Sequence, residues 1–392
     1  MFSEVIISNS NEVFKFLRGL DLDILLSKPQ LNHMQGLIQS IIKETYTGKV
    51  SQANYRHRTN ISRFLNDSSW DSIAVDHILQ NYVIDCIWNR SIQTGFPIYV
   101  LIDDTTCIKT KPSSQVSRPI EGCSYHHSHL EHRMVYGHQF VTLMLRCDDL
   151  ILPYEITLYE KQSMSKIELA RQIISSLPAP PNKGYILADN WYSCESLFEA
   201  SKTNGFYYLG ALKTNRKIFP KGIQLKAFAK TLDLKDLDQV TVENKSYYTY
   251  TYLGKVKGGL KVKIVLSWPE DSVLNPSTLR CFISHDINNS TKQILKHYKK
   301  RWPIETFFRE TKQNFGFSNY QIRSLQGIKR FMLMIRVTYV YMTRVKQKES
   351  QTFGDALRQE QRKQKRATVL YIYEKAIQGI ELNHIFNELK IA

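Results

Sequence analysis

Three acidic residues stand where carboxylates do metal chemistry. Asp104 and Asp189 each follow a continuous apolar run, 97–102 and 185–188, that reads as a buried strand. In open α/β sheets the C-terminal edge of such strands is where ligands bind. Two carboxylates from separate strands make a natural site for a hard cation, because Mg²⁺ takes oxygen ligands and only one or two carboxylates from the protein. Asp189, before Asn190 and Trp191, equally reads as a cap for the next helix, and Asp103 reads as a local residue. The third acid is Glu305, in the stretch from Tyr298 to Lys312. On a helical wheel Tyr298, Arg301, Glu305 and Lys312 fall within about 60° of one another. Ile304, Phe307, Phe308 and Phe315 occupy the adjoining face. Apolar residues that must pack on a sheet, beside a stripe of Tyr, Arg, Glu and Lys, make an active-site wall. Pro303 cannot donate to the Lys299 carbonyl, so the helix kinks or begins there.

The elements that must position these residues are an α/β sheet between helical regions. Residues 1–95 carry helical periodicity at 13–26, 31–42 and 70–89. Between the last two lies a basic stretch containing Arg58 and Arg63, with an apolar stripe at Ile61, Phe64 and Leu65. A short basic helix, a turn and another helix match a DNA-binding helical module; a bundle with a solvated basic face is the equal alternative. Residues 96–212 then read strand, strand, strand, helix, strand, helix, strand. The first three form an antiparallel meander and the rest add in parallel. Residues 213–275 form a β-rich insertion, 276–346 return to the core, and 347–392 are a charged helical tail.

The chain has 392 residues with Lys plus Arg 53 and Asp plus Glu 36, a net charge of +17. Hydrophobic residues at 42% supply a core and exclude a disordered chain. The positive excess points to a polyanion, most simply nucleic acid, over an acidic membrane surface. No stretch is long and apolar enough to span a bilayer, and no secretory leader is expected at the N-terminus. The six cysteines show no CxxC pair and read as reduced thiols. His126, His127, His129, His132 and His138, near Cys123, match no closed zinc spacing and read as a loop near DNA, or as His138 packing beside the site. Residues 311–348 hold Lys312, Arg323, Lys329, Arg330, Arg336, Arg344, Lys346 and Lys348 and no acid, which reads as a DNA-contacting surface.

The pattern Tyr-x2-Arg-x3-Glu-x6-Lys, filled by Tyr298, Arg301, Glu305 and Lys312, resembles the signature of a group of bacterial insertion-sequence transposases. These are cut-and-paste DDE enzymes with a ribonuclease-H-like core. The Arg301-Trp302-x-Ile304-Glu305 core of the motif is as in that group, and Asp104-Thr105-Thr106 and Ile186-Leu187-Ala188-Asp189 match its two Asp contexts. The resemblance covers roughly residues 55–345, including a β insertion before the helix that bears the Glu.

The resemblance implies an α/β, ribonuclease-H-like mixed sheet flanked by helices. It implies two Mg²⁺ ions, with Mn²⁺ able to substitute, held by Asp104 as the bridging ligand and by Asp189 and Glu305. It assigns Tyr298, Arg301 and Lys312 to backbone phosphates. A flipped base near a hairpin end would stack on an aromatic residue, for which Trp268 is a candidate, although a buried Trp capping the insertion is the favoured reading of that residue. Arg323, Lys329, Arg330, Arg58 and Arg63 would add DNA contacts. The expected partners are double-stranded DNA, as terminal inverted repeats and target, and a second copy of the chain in a homodimer, with no membrane. The expected location is the bacterial cytoplasm at the nucleoid. Two other readings stay open: a domesticated, non-catalytic end-binding protein, and a ribonuclease-H-like structure-specific nuclease. The complete carboxylate set weighs against the first, and the Tyr-Arg-Glu-Lys spacing against the second.

Overall fold

The computed structural model describes residues 7–53, 55–128, 131–255, 259–346 and 351–389. His129 and Lys348 lie outside them. The N-terminal region is helical: α1 (Ile7–Arg18), α2 (Leu22–Leu25), α3 (Lys28–Ile42), α4 (Arg58–Asn66) and α5 (Ser72–Thr94). Local chemistry sets the limits of α5. Asp71 accepts the Ile73 and Ala74 N–H groups at its start, and Gly95 at φ 71° ends it.

The core follows as β1 (Ile98–Ile108), β2 (Ser124–Ser128), β3 (Arg133–Cys147), β4 (Leu150–Leu158), α6 (Lys166–Ser176), β5 (Gly184–Ala188), α7 (Glu195–Thr203) and β6 (Tyr207–Leu212). β1 pairs antiparallel with β3 and parallel with β5, and β5 pairs parallel with β6. β4 and β2 pair antiparallel with different stretches of the long β3. The antiparallel meander and the two parallel additions are the arrangement expected of the core. β2 is an additional strand that the sequence reading places in a loop. Val100 to Ile102 and Ile186 to Ala188 are fully buried, because helices cover both faces of the sheet there.

The insertion holds the hairpin β7 (Lys217–Ile218) and β8 (Ile223–Gln224), then α8 (Leu225–Ala229), β9 (Asp238–Val242), β10 (Lys245–Lys255) and β11 (Lys261–Pro269). β9 to β11 do not stand apart. β11 pairs with β12 (Arg280–Ser284), and β12 pairs with β6, so one ten-stranded sheet runs through core and insertion. Trp268 lies within this continuation and is 1% exposed.

The chain closes with α9 (Thr291–Lys299), α10 (Pro303–Asn314), α11 (Leu325–Val345), α12 (Phe353–Ile377) and α13 (Leu382–Leu389). The stretch from Tyr298 to Lys312 is therefore not one helix. α9 ends at Lys299, and α10 starts with Pro303 at its first position, where the missing N–H costs nothing. α11 is almost wholly buried and packs against β4, α3, α4, α5 and α12. No helix among the described residues is long and apolar enough to cross a membrane.

Candidate active site

β1 carries two adjacent acids, and strand alternation sends them to opposite faces of the sheet. Asp103 shares its face with Thr105, which accepts a hydrogen bond from Lys312 Nζ on α10 at 2.5 Å. Asp103 Oδ2 receives Arg301 Nη1 at 2.8 Å, and the other arm of the same guanidinium bonds Glu305 Oε1. One planar fork thus ties the β1 acid to the α10 acid. Tyr298 completes the group, with Arg301 5.9 Å from its ring centroid. The four signature residues gather although two of them precede the helix start, because residues 300–302 turn tightly enough for Arg301 to remain one helical turn before Glu305.

Asp104 faces the other way. It accepts Gln139 Nε2 at 2.6 Å, Lys166 Nζ at 2.8 Å and the Tyr192 hydroxyl at 2.9 Å. It makes no hydrogen bond to α9 or α10 among the described contacts. Asp189 follows β5, one register step beyond the Ile102–Ala188 pair, which sets it beside Asp103. Its Oδ1 accepts the Trp191 N–H at 2.9 Å.

The electrostatics follow this geometry. Burial raises the Asp103 carboxyl to about 6; Arg301 opposes the rise and the nearby Asp189 charge adds to it. Arg301 loses hydration by burial, yet Tyr298, Asp103 and Glu305 together hold it more firmly protonated than usual. Burial raises the Tyr298 phenol, with Asp189 and Asp103 adding to the rise. Burial lowers the Lys312 ammonium.

The acids at this fork are Asp103 and Glu305, with Asp189 near Asp103; all offer carboxylate oxygens, and the chemistry of that set suits a hard divalent cation. As they stand, no three His, Cys, Asp or Glu side chains among the described residues group closely enough to hold an ion. The positive charge between Asp103 and Glu305 is instead the Arg301 guanidinium. Two hollows flank this centre. One, of 530 Å³, is lined by Arg146, Tyr298, Lys300, Arg301, Trp302 and Glu305. The other, of 840 Å³, takes in Asp103, Asp104, Asp189, Trp191, Lys166 and Lys312.

The remaining sequence candidates are dispersed. Trp268 is buried in the sheet and its indole N–H meets no partner, so it has no face to offer a base. Trp302 at 62% and Trp191 at 44% are the exposed tryptophans beside the acids. Neither was singled out from the sequence for this role; the signal was there, since Trp302 sits inside the signature and Trp191 two residues after Asp189.

Arg330 is also not a surface residue. It is 3% exposed and donates to the carbonyls of Phe64, Leu65 and Trp70, so it fastens α4 to α11. Arg336 is buried against Asp76, Glu155 and the Tyr154 carbonyl. Residues 311–348 are therefore not one basic face. Arg323 is exposed, and Lys329 is exposed and pairs with Glu160 at 3.0 Å. Arg58 and Arg63 lie exposed on α4. In the histidine cluster, His138 is buried, bonded to the Tyr320 hydroxyl and the Glu121 carbonyl at 2.7 Å each. Cys123 Sγ lies 3.3 Å from its Nε2.

Comparison with known proteins bears on this arrangement. No curated protein sequence matches the chain. Among solved structures the chain is similar to the cryo-EM structure of a piggyBac transposase synaptic complex with hairpin DNA. The identity is 11% and the TM-score 0.47, over 91% of this chain and 77% of that one. The family model described as "Transposase DDE domain" matches residues 95–341, which run from the start of β1 to the last turns of α11. The chain belongs to the transposase DDE domain family.

Proposed function

We propose that the protein is an active DNA transposase that cuts and rejoins DNA strands at the inverted ends of its own element. The observation that carries this reading is the Arg301 fork joining Asp103 to Glu305, with Asp189 beside them at the strand edge. In this reading the acid set is Asp103, Asp189 and Glu305. Asp104, which the Asp-Thr-Thr context favours, faces away from Glu305 and holds Lys166.

Two Mg²⁺ or Mn²⁺ ions bound by these carboxylates would supply an activated water or 3′-hydroxyl and stabilise the leaving oxygen. The chain's own contribution is position and charge. Arg301 is preorganised as a planar fork, and a phosphodiester is the oxyanion that fork suits once the acids take another cation. Lys312, held by Thr105, presents a point charge on the same side. Tyr298 stays a neutral hydroxyl donor, because burial raises its phenol. Trp302 offers an exposed ring at the mouth of the hollow lined by Arg301 and Lys300. It replaces Trp268 as the aromatic residue for a displaced base.

Around this centre, residues 1–95 carry the exposed basic helix α4 and serve as the DNA-binding region. Residues 96–212 and 276–346 are the catalytic core, and 213–275 extend its sheet. In the tail at 347–392, Val369, Leu370, Tyr373 and Ile377 are exposed on α12 and fit a homodimer contact.

The test uses the coding gene with its flanking DNA on a plasmid, incubated with purified protein and Mg²⁺ or Mn²⁺, and the cut ends are mapped. Metal-dependent cuts at paired inverted ends, absent with Glu305→Gln, support the reading. Binding without cutting supports the non-catalytic alternative. Cleavage without strand transfer supports the structure-specific nuclease.

A further inference from the structure

We propose that Arg301 is an autoinhibitory latch on the acid site. In the DNA-free protein its guanidinium holds Asp103 and Glu305 against a divalent cation, and a DNA phosphate draws it off. The inference rests on the transposase reading and adds to it a coupling between DNA binding and metal binding.

The fork gives one arm to each acid. Nη1 bonds Asp103 Oδ2 at 2.8 Å, and Nη2 bonds Glu305 Oε1. Asp103 Oδ1 accepts the Asp104 N–H at 2.9 Å, so Oδ2 is the oxygen turned toward Arg301 and α10. An ion pair at the surface exchanges readily with ions in water. This one is shielded, with the Arg301 side chain only 14% exposed. A Mg²⁺ ion takes its oxygens at about 2.0–2.1 Å, a place the guanidinium obstructs on both acids at once. The two positive charges also repel. Metal binding by Asp103 and Glu305 therefore has to displace the fork.

The same geometry lets the fork open. Arg301 lies in the turn between α9 and α10, outside both helices. With Arg146, Lys299 and Lys300 it lines the 530 Å³ hollow beside the acids. Glu243 also lines that hollow and pairs with Lys299 at 3.3 Å. A basic hollow attracts a phosphodiester, and a phosphate is a second oxyanion that suits a planar fork. Phosphate and carboxylates then compete for one guanidinium. Whatever DNA gains by taking Arg301 from the acids, the metal gains too, because coupling between two binding sites is reciprocal. The acids are thereby kept from metal until a strand is in place.

The experiment titrates Mn²⁺ by calorimetry into full-length protein, alone and in complex with a short blunt duplex, with the duplex-only titration subtracted. It compares wild type with Arg301→Gln, Arg301→Lys and Lys300→Gln, each checked for an unchanged thermal transition. Without DNA, Arg301→Gln should bind Mn²⁺ about 5- to 150-fold more tightly than wild type, the range over which coupled sites ordinarily act on one another. Arg301→Lys keeps a point charge but lacks the fork, so it should fall between the two. Lys300→Gln removes a charge from the same turn without a bond to either acid, and should stay close to wild type. The duplex should raise the Mn²⁺ affinity of wild type more than that of Arg301→Gln. If DNA-free wild type and folded Arg301→Gln bind Mn²⁺ equally, or the variant binds it more weakly, the latch is overturned and the transposase reading stands. An equal gain in Lys300→Gln reduces the effect to bulk charge and overturns the latch as well. If neither wild type nor Arg301→Gln binds Mn²⁺ with or without the duplex, the metal-holding role of the acids falls and the latch falls with it.

Discussion

At the residue scale, the two neighbouring acids of β1 differ in their partners, Arg301 for Asp103 and Gln139, Lys166 and Tyr192 for Asp104, and the proposed function assigns the metal to the first. Asp103→Asn should lower strand cleavage on the order of 10³-fold or more, because a metal-holding carboxylate supports several kcal/mol of transition-state stabilisation. Asp104→Asn should cost about 10–100-fold, the usual cost of losing a supporting partner, and should leave divalent-ion binding intact. Calorimetric titration of Mn²⁺ alongside cleavage assays separates the two. The sequence showed the acid pair and the strand. It did not show which acid faces α10, because the run before them is apolar on both faces and gives alternation nothing to mark. Trp268 stays open between a stacking platform and a core residue in sequence for a similar reason: a tryptophan closing a β-rich segment looks the same whether the segment ends at solvent or continues a sheet.

Two histidines carry a second residue-scale prediction. Burial pushes His138 and His297 down to about 4. In the unfolded chain they titrate near 6.5, so between about 6.5 and 4 the unfolded state binds more protons. Stability should therefore be fully present above 6.5 and fall as the pH drops through that window. Melting temperatures from pH 7.5 to 4 should show this, and the fall should be shallower in His138→Gln and His297→Gln, each relative to its own value at pH 7.5.

At the element scale, the basic run at residues 311–348 illustrates what composition leaves out. It marks charge but not direction, and α11 turns Arg330 inward while Lys329 stays outside. Arg330→Ala should destabilise the fold by about 2–4 kcal/mol, since it strips a buried cation from three carbonyls at the end of α4 and the following turn. Chemical denaturation reads that loss. Arg58→Ala and Arg63→Ala should leave stability unchanged and instead each reduce the salt slope of DNA binding by about one. A glycine pair makes a second element-scale lock. Gly48 and Gly316 both have positive φ, and a Cβ on Gly316 would lie 2.2 Å from the Gly48 Cα. The loop after α3 is thus pressed onto the end of the helix that carries Glu305. The helix break before Pro303 was legible from proline chemistry alone; this contact was not, because the two glycines are distant in sequence.

At the scale of the whole molecule, one sheet runs from the meander through the acids and into the insertion. The helical N-terminal region is fastened to it through α11. The succession of core strands and helices along the chain, β2 apart, was legible because apolar runs and short turns mark them strongly. That β9 to β11 extend the same sheet was not, since a β-rich insertion reads alike whether it pairs with the core or with itself. The net charge of +17 is a property of the whole surface and fits a long polyanion.

The most direct test of the central claim is the metal-dependent cleavage of transposon-end DNA by wild type, Asp103→Asn, Asp104→Asn, Asp189→Asn and Glu305→Gln in parallel. The arrangement around Arg301 predicts cuts by wild type, none detectable with the Asp103, Asp189 and Glu305 variants, and residual cuts with Asp104→Asn. Robust cutting by Asp103→Asn together with silence from Asp104→Asn would contradict it.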